Sequence, residues 1–219
     1  MALALDGSVH GNSGSSNSLP VSLSTSNGNV VIVVCVTTNG GPVTGVSGST
    51  MGAFTLRKAQ GGPNFIETWY KKSTSALSSE TITVSTTSSS FITVDAFGIS
   101  GADTTTIFDS NVSLPNAPGG ANHVVVSTTN ANDFIFAAYR FNSTPSPTEG
   151  TGFTKISGAN FQLVEYKIVS ATQSSLDIGI GTGDGDENNG IGDAIIQATG
   201  GGGFFGRYYY VMGARAINV

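Results

Sequence analysis

Two glutamates sit inside aromatic segments with the look of strands. Glu67 lies in Ile66-Glu-Thr-Trp-Tyr70 and Glu165 in Val164-Glu-Tyr166. Two carboxyl groups about 5–9.5 Å apart can flank a glycosidic bond, so Glu67 and Glu165 define one reading, a jelly-roll glycoside hydrolase. Trp69, Tyr70, Tyr208, Tyr209 and Tyr210 define a second. Their flat rings can stack on a pyranose with no hydrolysis, as in a carbohydrate-binding adhesin module. Asp184, Asp186 and Asn188, in the acidic segment Gly181–Asp193, form the Asp-x-Asp-x-Asn opening of a calcium loop. Oxygen ligands at alternate positions suit Ca2+. The segment departs from the EF-hand pattern at Asn189, where Gly belongs, and at Ile195, where the bidentate Glu belongs.

Other catalytic sets are missing. The two histidines, His10 and His123, stand in a Gly/Ser/Asn-rich stretch and at a strand opening. Gly45-Val-Ser-Gly-Ser49 fails as a G-x-S-x-G elbow at its last position. The one cysteine, Cys35, lies in the run Val30–Val36, where a thiol packs as a small hydrophobe. Two histidines and one buried thiol do not make a typical four-ligand zinc site. The expectation is a protein without enzymatic activity.

Whatever chemistry these residues do, strands must position it. Charged residues are 11 % of 219, and Gly numbers 30. Val, Ile, Thr, Phe and Tyr dominate over helix formers, which argues against both disorder and a helical fold. The net charge of −5 gives no basic face for nucleic acid. The longest apolar run has seven residues, Val30–Val36, against roughly 20 for a membrane-spanning helix. Met1–Asp6 lacks the basic and apolar regions of a secretion signal. That combination suits a particle assembled in the cytoplasm and released by lysis, or a piece of a longer secreted protein.

Period-two alternation predicts strands at Leu19–Leu23, Val43–Ser47, Phe54–Ala59, Phe65–Lys71, Val124–Ser127, Phe134–Phe141, Phe161–Val169 and Ser175–Gly181. Val30–Val36 reads as a central strand buried on both faces. Thr81–Thr86 and Phe91–Ile99 read as a hairpin, 181–193 as a loop, Gly200–Gly203 as a loop tip and Arg207–Asn218 as a closing strand. The predicted fold is all-β, an antiparallel two-sheet sandwich of jelly-roll type. Residues 1–18 are predicted to be a flexible arm, and 19–219 a single domain rather than two halves split at Ser113–Ala121.

The order of segments carries a resemblance. Val30–Val36 is followed by Pro42-Val-Thr-Gly-Val46, Ile66–Tyr70, Glu80-Thr-Ile-Thr-Val84, Ala96-Phe-Gly-Ile-Ser-Gly-Ala-Asp103, Asn132-Asp-Phe134 and Tyr210-Val-Met-Gly-Ala214. This resembles β-sandwich modules of bacteriophage virion structural proteins (fibres, tail appendages, head decorations) and of bacterial extracellular proteins. The resemblance implies a non-enzymatic structural part located on a virion. Its expected partners are other virion proteins and further copies of itself, as in a trimer, with a host-surface glycan as a further contact.

Overall fold

The computed structural model describes residues 1–61, 64–120 and 123–199, and no helix occurs among them. The apolar run becomes strand β2 (Val30–Thr38), in which all nine residues are buried. Alternation sends Val30, Ile32, Val34 and Val36 to one core cluster and Val31, Val33 and Cys35 to another. A strand buried on both faces needs apolar residues at successive positions, which is why the run shows no alternation.

On one side β2 pairs with β6 (Phe65–Ser73), which pairs in turn with β5 (Thr55–Gly61). On the other side lies β7 (Glu80–Ser100). The hairpin expected there is one strand of 21 residues. Its first half pairs with β3 (Val43–Gly48), which carries the two-residue β4 (Gly52–Ala53), and its second half with β2. The Ser/Thr stretch between the halves is therefore a bend in a continuous strand, not a chain reversal.

Along the other edge of β7 runs β1 (Ala4–Leu23), with register shifts at Ser13, Ser16 and Ser18. The ribbon folds over at these shifts. A Cβ on Gly11 would come within 2.5 Å of Val21 Cγ1 on the same strand, so glycine permits the close approach. The bent ribbon wraps Val21, Leu23, Ile32, Val34, Trp69, Ile82 and Val84 in a nearly closed, barrel-like sheet. Residues 1–18 thus differ from the expected arm. Their Gly/Ser/Asn composition hides the strand, because it is held through backbone pairing with β7.

The second sheet has the order β10 (Thr154–Ala159), β11 (Gln162–Val169), β9 (Asp133–Phe141), β13 (Glu187–Ile196), all antiparallel. Its inner face, with Phe134, Phe136, Ala138, Val164, Ile191 and Ile195, packs on Val31, Val33, Phe97 and Ile99 of the first sheet. The rings of Phe134 and Phe136 lie 6.2 and 5.8 Å from that of Phe97. The molecule is an antiparallel two-sheet sandwich. The outer face of the second sheet is covered by the short pair β8 (Val124–Val126) and β12 (Leu176–Ile178). Gly192 makes room for that cover, since a Cβ there would lie 2.1 Å from Val124 Cγ1. The segment 181–193 is a turn followed by β13, so Glu187 onward is strand. Gly200–Gly203 and Arg207–Asn218 lie outside the described residues.

Tyr139 fastens the cover in place. Its buried hydroxyl donates to the Ile178 carbonyl at 2.5 Å and accepts from the Val124 amide at 2.9 Å. Tyr139→Phe strands both groups without a partner. The expected cost is about 1–3 kcal/mol, with faster hydrogen exchange at the Val124 amide than in the wild type.

Candidate functional site

The two sequence-predicted carboxylates do not meet. Glu67 shares the Trp69 face of β6, turned away from the second sheet, and Glu165 shares the Leu163 face of β11, turned away from the first. Sheets pack about 10 Å apart, and these two side chains occupy the outer faces of such a pair. They cannot flank one glycosidic bond. Glu67 instead accepts from the Val43 amide at 2.9 Å and from the Trp69 indole at 3.0 Å. Burial raises its pKa, against the pull of those two bonds. Glu165 accepts from the Gly150 amide at 2.9 Å, and burial pushes its pKa up to about 7.

The expected sugar platform is also dispersed. Trp69 is 9 % exposed, within the barrel core, so its ring faces are occupied by packing. Tyr70 is half-buried and meets Phe108 edge-on at 4.8 Å. Tyr208, Tyr209 and Tyr210 lie outside the described residues.

Within the expected calcium loop, Asp186 points elsewhere. Its carboxylate accepts from the Ser143 and Thr144 amides at 2.9 and 2.6 Å and from the Ser143 hydroxyl at 2.8 Å. Burial alone would raise its pKa, but these bonds bring it to about 2. Asn188 lies in β13, where its carbonyl accepts from the Gly120 amide. Of the three residues only Asp184 joins a cluster of ligand-type atoms.

His10 links the first sheet to the β10–β11 hairpin of the second. Its Nδ1 lies 2.7 Å from Asp95 Oδ1 and 3.0 Å from the Ser157 hydroxyl, while Nε2 lies 2.9 Å from the Asn160 amide nitrogen. Gln162 donates to the other Asp95 oxygen at 2.7 Å. His10, Asp95 and Cys35 sit side by side on β1, β7 and β2. The order is not that of a nucleophile triad, because the carboxylate stands between the ring and the thiol. Burial first, then the Asp95 charge, pushes the Cys35 thiol well up, away from a reactive thiolate.

A different cluster gathers where β8, β12 and β13 approach one another. His123, just before β8, places Nδ1 3.1 Å from Asp177 Oδ1 on β12 and Nε2 2.9 Å from Asp184 Oδ1. Glu187 Oε1 stands 3.9 Å from Nε2. Burial lowers the affinity of His123 for a proton, but the bonds to Asp184 and Asp177 outweigh it and raise the pKa. The sequence names His123 and Asp184 but not their association with Asp177 and Glu187. The available signal is the pairing of β8 with β12, which places His123 beside Asp177.

The class defined by fold and site is an all-β sandwich whose acidic side chains mostly hold backbone. No family model matches this chain, and no curated protein or solved structure matches it significantly.

Proposed function

We propose that the protein is a non-enzymatic structural subunit of an assembled particle, of the kind found on bacteriophage virions. The observation that supports this most is the use of its carboxylates. Asp6 accepts from the Ser26 and Asn27 amides, and Glu80 from those of Thr50 and Met51. Asp103 accepts from the Thr105 and Thr106 amides, and Asp109 from those of Asn111, Thr129 and Asn130. Asp186 holds the turn at 143–144. Groups that an active site would keep free for proton transfer are here committed to bracing connections.

Such bracing suits a subunit that must hold its shape and present fixed contact surfaces. Among the described residues β1 pairs on one edge only, with β7. Its other edge, lined by Ser, Gly and Asn, is a surface on which a neighbouring chain can add backbone hydrogen bonds. Mass spectrometry of purified particles is the test, with light scattering of the isolated chain for self-association. Presence in intact particles at a fixed stoichiometry to the capsid protein is the expected result. Absence from them overturns the reading.

A further inference from the structure

Glu187 is the least satisfied side chain around His123. Its side chain is 1 % exposed, and neither carboxylate oxygen accepts a hydrogen bond. A buried carboxylate without donors carries a desolvation cost that folds normally avoid. Its Oε1 faces His123 Nε2 across 3.9 Å, and Asp184 Oδ1 faces the same nitrogen at 2.9 Å. The three ligand atoms all lie within 4.8 Å of one another. We propose that His123 Nε2, Asp184 and Glu187 form a binding site for a divalent transition-metal cation of the Zn2+ type.

Three arguments converge on that ligand. The first is distance. Bonds of about 2.0–2.2 Å from nitrogen and oxygen to zinc allow two ligands of one ion to stand between about 3 and 4 Å apart, which brackets both separations to Nε2. The second is the outer partner. His123 Nδ1 lies 3.1 Å from Asp177 Oδ1, the carboxylate–imidazole arrangement that fixes the tautomer and turns the Nε2 lone pair toward a metal. The third is charge. Asp177, Asp184 and Glu187 surround a single imidazole, and a dication that takes the place of the imidazolium proton offsets one more of their three negative charges than that proton does. The imidazole nitrogen selects against Ca2+, which takes oxygen ligands.

The ligands come from different elements. His123 precedes β8, Asp184 lies in the turn after β12, and Glu187 opens β13. A bound ion would therefore tie the cover pair to the second sheet at the end where Tyr139 also acts. Asp184 is 59 % exposed on its side chain, so the ion has a route from solvent, and water completes its coordination.

The test uses the full chain without a histidine tag, stripped with a chelator and titrated calorimetrically with ZnCl2 and separately with CaCl2. One equivalent of Zn2+ is expected to bind and raise Tm, while CaCl2 at the same concentration does neither. Glu187→Gln, with unchanged circular dichroism, is expected to weaken Zn2+ at least about 100-fold, and Asp177→Asn, which touches no ion, about 10–100-fold. Should Glu187→Gln fail to fold, the exposed Asp184→Asn serves in its place with the same expected loss. Asp186→Asn is expected to leave Zn2+ affinity unchanged. Absence of Zn2+ binding by the folded wild type, undiminished binding in both ligand variants, or preference for Ca2+ overturns the proposal.

Discussion

Arg57→Met is expected to cost about 3–5 kcal/mol and to lower Tm by on the order of 10 °C. Arg57 belongs to β5 of the first sheet and Asp193 to β13 of the second. The guanidinium approaches the carboxylate with two nitrogens, Nε at 2.6 Å and Nη2 at 3.2 Å, and lies 4.0 Å over the Phe108 ring. Asp193 is fully buried. Burial raises its pKa, and the Arg57 bond and charge oppose that rise. Removing the cation leaves the buried carboxylate with only the Ala194 amide as donor. The loss comes chiefly from that uncompensated charge, not from the intrinsic strength of the pair. Arg57→Met combined with Asp193→Leu is therefore expected to recover most of the stability. Thermal unfolding of the four proteins in the cycle gives the coupling directly. A single-variant loss below about 1 kcal/mol, the value of an exposed pair, would show that the bridge does not tie the sheets together.

Alternation and apolar runs made the sandwich legible in the sequence, because β2 and β9 face cores on both sides and their composition admits few other structures. The strand β1 was not legible. Its side chains between Gly7 and Ser18 are mostly small and polar, and the pairing that defines it is made by backbone. The hairpin expected over 81–99 failed for a related reason. A Ser/Thr stretch is compatible with a turn and equally with a bent strand, and the choice depends on β3 and β2 lying end to end along β7. Among the site residues, Glu67 and Trp69 stand two apart on one face of β6, and Trp69 donates to Glu67. The role of Glu67 depends on the Val43 amide, 24 positions away, which no local pattern reveals. The spacing of the acidic segment predicts a calcium loop, but the bulge between Glu187 and Asn189 and the demand of the 143–144 turn for an acceptor redirect its side chains. Long-range partners decide which carboxylates are free, and spacing carries no record of them.

Asp133→Asn is expected to stabilise the protein at pH 8 by on the order of 3 kcal/mol and to change little at pH 3. Asp133 opens β9 and is fully buried. Nearby Asp109 is held ionised. Burial alone would raise its pKa, but the amides of Thr129, Asn111 and Asn130 outweigh that and bring it below the ordinary value. Burial, then the fixed negative charge of Asp109, pushes Asp133 up to about 7 from 3.8. For an acid raised in the folded state the linkage runs against alkaline pH. Below the unfolded value both states carry the proton, and there is no penalty. Between that value and about 7 the unfolded chain releases the proton while the folded chain keeps it, so stability falls as pH rises. Above about 7 the penalty is complete and constant. Asparagine has nearly the same shape and cannot ionise, so its advantage should follow that curve. Denaturant unfolding of both proteins from pH 3 to 9 isolates the effect from Glu165 and His10, which titrate identically in each. The companion change Asp109→Asn should destabilise at pH 8, because the lost brace on the 128–130 turn outweighs the relief of Asp133. Parallel stability curves for wild type and Asp133→Asn would mean that Asp133 ionises freely in the folded protein. The two substitutions, one atom type apart at neighbouring acids, are expected to move stability at pH 8 in opposite directions because amides favour the charged form of Asp109, while Asp133 must ionise at a cost beside that charge.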